Sequence, residues 1–183
     1  MVSTERDEEF RAYVVARRAS LVRTATFLAG GDHHAAEDLV QTALMRIYVA
    51  WPRVRHDSAD AYARKALVNA LIDTRRRGST RHEHSRAELP DVAVPEPPAP
   101  TDTEHTVFAA LAALPARMRA AVILRHLCEL SVAQTADALG CSEGTVKSQT
   151  SRALEQLRES LTAAGVRLSV PVRIDEPATA RTS

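Results

Sequence analysis

Apolar residues recur at helical spacing through most of the chain, and two interruptions divide them into two blocks. In the first block Phe10, Val14, Leu21, Ala25 and Leu28 share a face, and the pattern stops at Gly30-Gly31, where a left-handed residue ends a helix at little steric cost. A second stripe runs through Ala36, Leu39, Val40, Ala43, Leu44, Ile47, Tyr48 and Trp51, with Asp32 placed to cap its start and Pro52 near its end. Ser58 can cap a third helix with inner positions Tyr62, Ala66, Leu67, Ala70, Leu71 and Thr74, finishing in an arginine run before Gly78. Three such helices can enclose a small core, so 5–78 reads as one domain.

The stretch 79–102 breaks the periodicity. Pro90, Pro95, Pro97, Pro98 and Pro100 remove backbone donors and bias the chain toward extended polyproline geometry, which marks an interdomain linker. A solvated spacer is the simpler reading of this segment; its acidity would also let it lie against a basic surface of either flanking domain.

Helical spacing resumes over 103–164. Val107, Leu111 and Leu114 share a face, Pro115 suits a first helical turn, and a longer helix follows through Met118, Ala121, Val122, Leu124 and Leu127. Ser131 with Gln134 three residues on is a capping box opening a short helix that closes at Leu139-Gly140. Ser142 caps a last helix with inner face Val146, Thr150, Ala153, Leu154, Leu157 and Leu161. After Gly165 no helical period remains, and 165–183 reads as a flexible tail. The expected fold class is all-α, two small helical domains joined by a proline-rich linker.

Composition supports helices, since aromatic residues are only 4% of the chain. A net charge of +1 supplies no overall field toward nucleic acid, so binding must come from local clusters. Charge is indeed segregated: Arg64, Lys65, Arg75, Arg76, Arg77, Arg81 and Arg86 crowd one stretch, while Ala87 to Glu104 carries acids and no basic residue. Cys128 and Cys141 are the only cysteines and form no C-x-x-C pair, which favours a structural role. The charged N-terminus lacks a signal-peptide run, and no stretch approaches the roughly 18 to 20 apolar residues of a membrane span, which predicts a cytoplasmic protein without membrane contact.

A helix-turn-helix needs a small residue where its helices press together, a left-handed turn four positions later and a branched apolar residue six further on. Ala136, Gly140 and Val146 meet those demands. With Val146, Thr150 and Leu154 inward, the last helix presents Lys147, Ser148, Ser151 and Arg152 outward, with Thr145 beside them at its start. Such short or basic side chains suit the major groove, Arg152 toward a guanine edge, Lys147 toward guanine or phosphate and the serines toward either.

Two stretches of the first block, AEDLVQTALMRIYVAW and YARKALVNALIDTRRR, narrow the reading. Together with SVAQTADALGCSEGTVKSQTSRALEQLR they resemble the characteristic regions of the extracytoplasmic function (group 4) sigma factors of bacterial RNA polymerase, with spacing similar to an actinobacterial sigma-E-like subgroup. The resemblance implies a three-helix sigma region 2 and a four-helix sigma region 4. It implies that region 2 docks on polymerase through Asp38, Gln41, Thr42, Met45 and Arg46, and that Asn69, Lys65, Arg75, Arg76 and Arg77 serve the minus-ten element. Asn69 would bond an unstacked base while the cations follow the strand backbone. The loop Arg53 to Asp60 corresponds to the family's base-capturing loop. The minus-thirty-five element would fall to Lys147, Ser148, Ser151, Arg152 and Thr145. Implied partners are core RNA polymerase, through the clamp and flap regions of its large subunits, and promoter DNA; an anti-sigma factor is left open.

The chain departs from the family pattern at Tyr62-Ala63, where many members carry Trp-Leu, and at Thr150, where a larger aliphatic is usual. No nucleophile with a base, phosphate-cradling glycine loop or metal constellation is legible; His33-His34 and His82-x-His84 lack cysteine partners. No catalytic residue, cofactor or metal is therefore expected. A stand-alone helix-turn-helix repressor, dimeric on paired half-sites, and a protein adaptor using the same fold are the rival readings.

Overall fold

A computed structural model describes residues 2–54, 58–77 and 101–166. The element order is α1 Val2–Ala29, α2 His33–Ala50, a 3-10 turn Trp51–Arg53, α3 Ala59–Arg77, α4 Asp102–Ala113, α5 Ala116–His126, α6 Val132–Leu139 and α7 Glu143–Ala163. Among the described residues there is no strand. Of the expected linker only Thr101 and Asp102, which open α4, are described, and of the expected tail only Gly165 and Val166; the linker histidines His82 and His84 lie outside the described residues.

The local signals act as anticipated. The Asp32 side chain accepts from the Ala35 amide at 3.0 Å and opens α2. Gly30 and Gly31 adopt φ +70° and +88°, stopping α1 before its apolar face would turn away from α2. The Ser131 capping box is closed from both sides: the Gln134 amide donates to Ser131 Oγ at 3.1 Å and the Ser131 amide donates to Gln134 Oε1 at 2.8 Å. Pro115 stands one position ahead of the first turn of α5, as its N-cap.

The first unit, α1 to α3, is closed by Phe10, Leu28, Val40, Ile47 and Leu67, all almost completely buried. Tyr48 and Trp51 both pack on Phe10, tilted and edge to face respectively, at centroid distances of 5.0 and 5.3 Å. The second unit, α4 to α7, closes on Leu124, Thr135, Val146 and Ala153. Thr135 is buried yet satisfied, its hydroxyl donating to the Ser131 carbonyl at 2.9 Å.

The two units are docked on each other, with α3 against α5 and α6 and α1 against α4 and α5. The docking corrects two inner faces. On α3, Tyr62 and Thr74 were expected inside and are exposed, while Ala63 and Val68 are buried. On α5, Arg119, Ala120 and Ile123 are buried alongside the expected Ala121, Val122 and Leu124. Both helices are covered from two directions, which a single periodic stripe does not anticipate.

The seam is close-fitting. Phe27 and Phe108 meet edge to face at 5.2 Å. A Cβ on Gly31 would lie 2.7 Å from Phe108 Cβ, and one on Gly30 would lie 2.7 Å from Ala112 Cβ, so the turn that ends α1 is also the seat of α4. Arg119, only 3% exposed, donates to the Leu111 carbonyl at 3.3 Å beside that turn.

Candidate nucleic-acid and polymerase interface

The turn between α6 and α7 sets the first surface. Gly140 caps α6 in the left-handed conformation at φ 61°, ψ 46°, and its amide bonds back to the helix. Ser142 then restarts the chain as α7, accepting from the Thr145 amide at 3.2 Å. Val146 is fully buried between the two helices, which fixes the rotation of α7 about its axis. That rotation leaves Lys147, Ser148, Ser151 and Arg152 on one exposed strip, and neither Lys147 nor Arg152 has an ion pair among the described residues. Two hydroxyls are partly committed: Thr145 Oγ1 shares a hydrogen bond with Ser142 Oγ at 2.9 Å, and Ser148 Oγ donates to the Thr145 carbonyl at 3.0 Å. Ser151 is exposed.

Inside the helix, Thr150 is half-buried and its Oγ1 is enclosed with no hydrogen-bond partner. A hydroxyl left so costs stability that a methyl at the same place would not.

The second surface is α3. Asn69 is exposed on it, and Tyr62 is 37% exposed, open to stacking by an unpaired base. Lys65 is differently placed: its ammonium pairs with Asp137 of α6 at 3.6 Å, across the seam. No local signal in the sequence announces that pair, because its members are brought together only by docking. Arg75, Arg76 and Arg77 end α3, and their side chains lie outside the described residues, as do residues 55–57 of the loop before it.

The third surface is the outer side of α2. Asp38 is exposed, and Gln41, Thr42 and Met45 are half-buried at its margin. Val49, at 81% exposed, extends the apolar part of this side by one turn beyond Met45. It was absent from the expected set, although its i+4 relation to Met45 was readable. Arg46 donates to Asp73 Oδ2 at 2.8 Å. The ion pair ties α2 to α3 and leaves the Arg46 side chain partly exposed.

Among the described residues no three His, Cys, Asp or Glu side chains converge to hold a metal. Burial pushes the Cys128 thiol up from its ordinary range, only partly opposed by its hydrogen bond with Thr24, so the thiol stays protonated and weakly nucleophilic. No helix among the described residues is long and apolar enough to cross a membrane.

Comparison with known proteins places both units. The family profile of Sigma-70 region 2 matches 13–81, and that of Sigma-70, region 4 matches 105–157. The chain is 40% identical to the RNA polymerase sigma-E factor of Streptomyces coelicolor over 165 residues, covering 85% of this chain and 87% of the relative. It is 35% identical to the ECF RNA polymerase sigma factor SigL of Mycobacterium tuberculosis, over 74% of this chain and 80% of the relative. Among solved structures, the sigma factor RpoE of Bartonella quintana, in complex with the anti-sigma factor NepR, superposes with a TM-score of 0.65 at 28% identity, covering 85% of this chain and 98% of that one. The all-α fold, the two region types and these relatives agree: the chain belongs to the extracytoplasmic function sigma factors of bacterial RNA polymerase.

Proposed function

We propose that this protein binds core RNA polymerase and directs promoter-specific initiation, with the unit of α1 to α3 reading the minus-ten element and the unit of α4 to α7 reading the minus-thirty-five element. The observation that carries the reading is the exposed strip Lys147, Ser148, Ser151 and Arg152 on a helix whose rotation is fixed by buried Val146. A strip of small and cationic side chains can enter the major groove closely, Arg152 as the bidentate donor to guanine. Asn69 and Tyr62 on α3 are the groups for a flipped or unstacked base, with Lys65 and the Arg75 to Arg77 run following the strand. Asp38, Gln41, Thr42, Met45 and Val49 form the polymerase-facing side of α2, and Arg46 supports it through Asp73.

The protein does no covalent chemistry in this scheme: strand opening draws on binding energy and on captured bases, the catalytic site being that of the polymerase. It works in the cytoplasm, where polymerase and DNA are. An anti-sigma factor fits as a further partner, because the Bartonella sigma factor on which this chain superposes is held in complex with one. In the docked arrangement Asn69 and Tyr62 stay exposed while Lys65 pairs with Asp137, so docking withdraws one cation of α3 from DNA.

The test is transcription in vitro by core polymerase with this chain on promoters altered in one element at a time. Arg152→Ala is expected to make initiation indifferent to the minus-thirty-five sequence while keeping minus-ten dependence, and Asn69→Ala to do the reverse. Identical dependence on both elements in wild type and variants would sink the assignment of the two helices.

A further inference from the structure

Where the units meet, a cleft of about 270 Å³ opens between α1, α3 and the chain just after α5. Arg17 and Arg23 of α1 and Arg64 of α3 line it, with Asp60 as its one carboxylate and Leu127 and Cys128 of the second unit as its far wall. Three guanidinium groups against one carboxylate leave a local charge of two positives, in a chain whose whole net charge is +1.

The carboxylate is already committed. Asp60 Oδ2 pairs with Arg17 at 2.9 Å, and Asp60 Oδ1 accepts from the Tyr13 hydroxyl at 3.3 Å. Arg23 and Arg64 have no ion pair among the described residues. Moreover, Arg64 Nε is buried and donates to nothing. A half-buried guanidinium without a counter-charge is disfavoured, and an anion in the cleft supplies that counter-charge.

We propose that this cleft is a binding site for a small phosphorylated anion carrying at least two negative charges, and that the bound anion holds the two units docked. Guanidinium forks match phosphate oxygens in pairs, which favours a phosphoryl group over a halide or a single carboxylate. The cleft is somewhat below the usual range for drug-sized ligands, so a diphosphate or a phosphorylated sugar fits and a folded peptide does not. The charged groups all come from the first unit and the second closes the cleft with Leu127 and Cys128; an anion held more tightly in the enclosed, less screened cleft shifts the population toward the docked form. Its effect would be to hold Lys65 against Asp137 and oppose initiation, a consequence that rests on the reading given under Proposed function; the binding itself does not.

The experiment uses the full chain without polymerase and inorganic pyrophosphate as the probe, titrated by calorimetry at constant ionic strength. Wild type is expected to bind one equivalent saturably and to become more compact by small-angle scattering. Arg64→Gln should lower the affinity at least tenfold and Arg23→Gln, at an exposed position tolerant of change, several-fold. Arg158→Gln on exposed α7 should leave it unaltered. Non-saturable heat that follows ionic strength alone, or equal binding by wild type, Arg64→Gln and Arg23→Gln, overturns the proposal. So does a pattern in which the two cleft variants weaken random duplex DNA but not pyrophosphate, since the arginines would then be backbone contacts.

Discussion

The two helices assigned to promoter reading are in opposite states within one molecule. α7 presents Lys147, Ser151 and Arg152 to solvent, and its packing on α5 and α6 involves only its other face. α3 is covered from two sides, with Val68 fully buried and Lys65 paired to the partner unit. The α7 strip is wholly exposed in the docked molecule, whereas α3 exposes Asn69 and Tyr62 but has Lys65 paired across the seam. Under the proposed function, docking would therefore bear on the minus-ten helix more than on α7.

The largest expected perturbation removes the seam. Phe108→Ala deletes the ring that meets Phe27 edge to face and covers Gly31, and a buried Phe of this kind contributes about 3 kcal/mol or more. The radius of gyration should rise, and binding of single-stranded minus-ten DNA should strengthen as α3 is uncovered, while duplex binding through α7 stays as it was. A variant that stays compact would mean the units are held elsewhere. Next in size, Arg152→Ala should cost roughly 1 to 3 kcal/mol in specific duplex binding if it contacts a base. Equal loss on scrambled duplex would instead make it a phosphate contact.

Much of this architecture was legible in the chain. Asp32, Gly30, Ser131, Gly140 and Ser142 act within a few residues of themselves, so turn chemistry alone places five helix ends. The Thr101-x-x-Glu104 capping box that opens α4 was equally local and was overlooked amid the linker prolines. The seam was not legible. Arg119 reads as a surface residue of a helix and is buried because α1 lies over it; Lys65 and Asp137 stand far apart in sequence and meet only through docking. Likewise Arg46 carries the right residue type for a partner surface, and only the fold reveals that Asp73 already holds it.

Smaller changes sharpen the contrast between α7 and the rest. Thr150→Val replaces an enclosed, unpartnered hydroxyl by a methyl of the same shape and should leave stability unchanged or raise it by up to about 1 kcal/mol, read as the thermal midpoint. A clear drop would mean that the hydroxyl has an acceptor in solution. The smallest effect concerns pH. The Thr101 backbone amide, then its side-chain hydroxyl, hold the Glu104 carboxyl below its ordinary range. Its cap is thus fully present above the unfolded value of about 4.3 and is lost as pH falls through the lower folded one. The difference in thermal midpoint between wild type and Glu104→Gln should accordingly narrow on acidification; a difference independent of pH would show that the charge plays no part.

The central claim is tested most directly by mixing the purified chain with bacterial core RNA polymerase and a promoter obtained by genomic selection. The account predicts a stable complex of one chain per polymerase and initiation at a defined start that requires both promoter elements. DNA binding as a dimer on paired half-sites, with no association with polymerase, would contradict it.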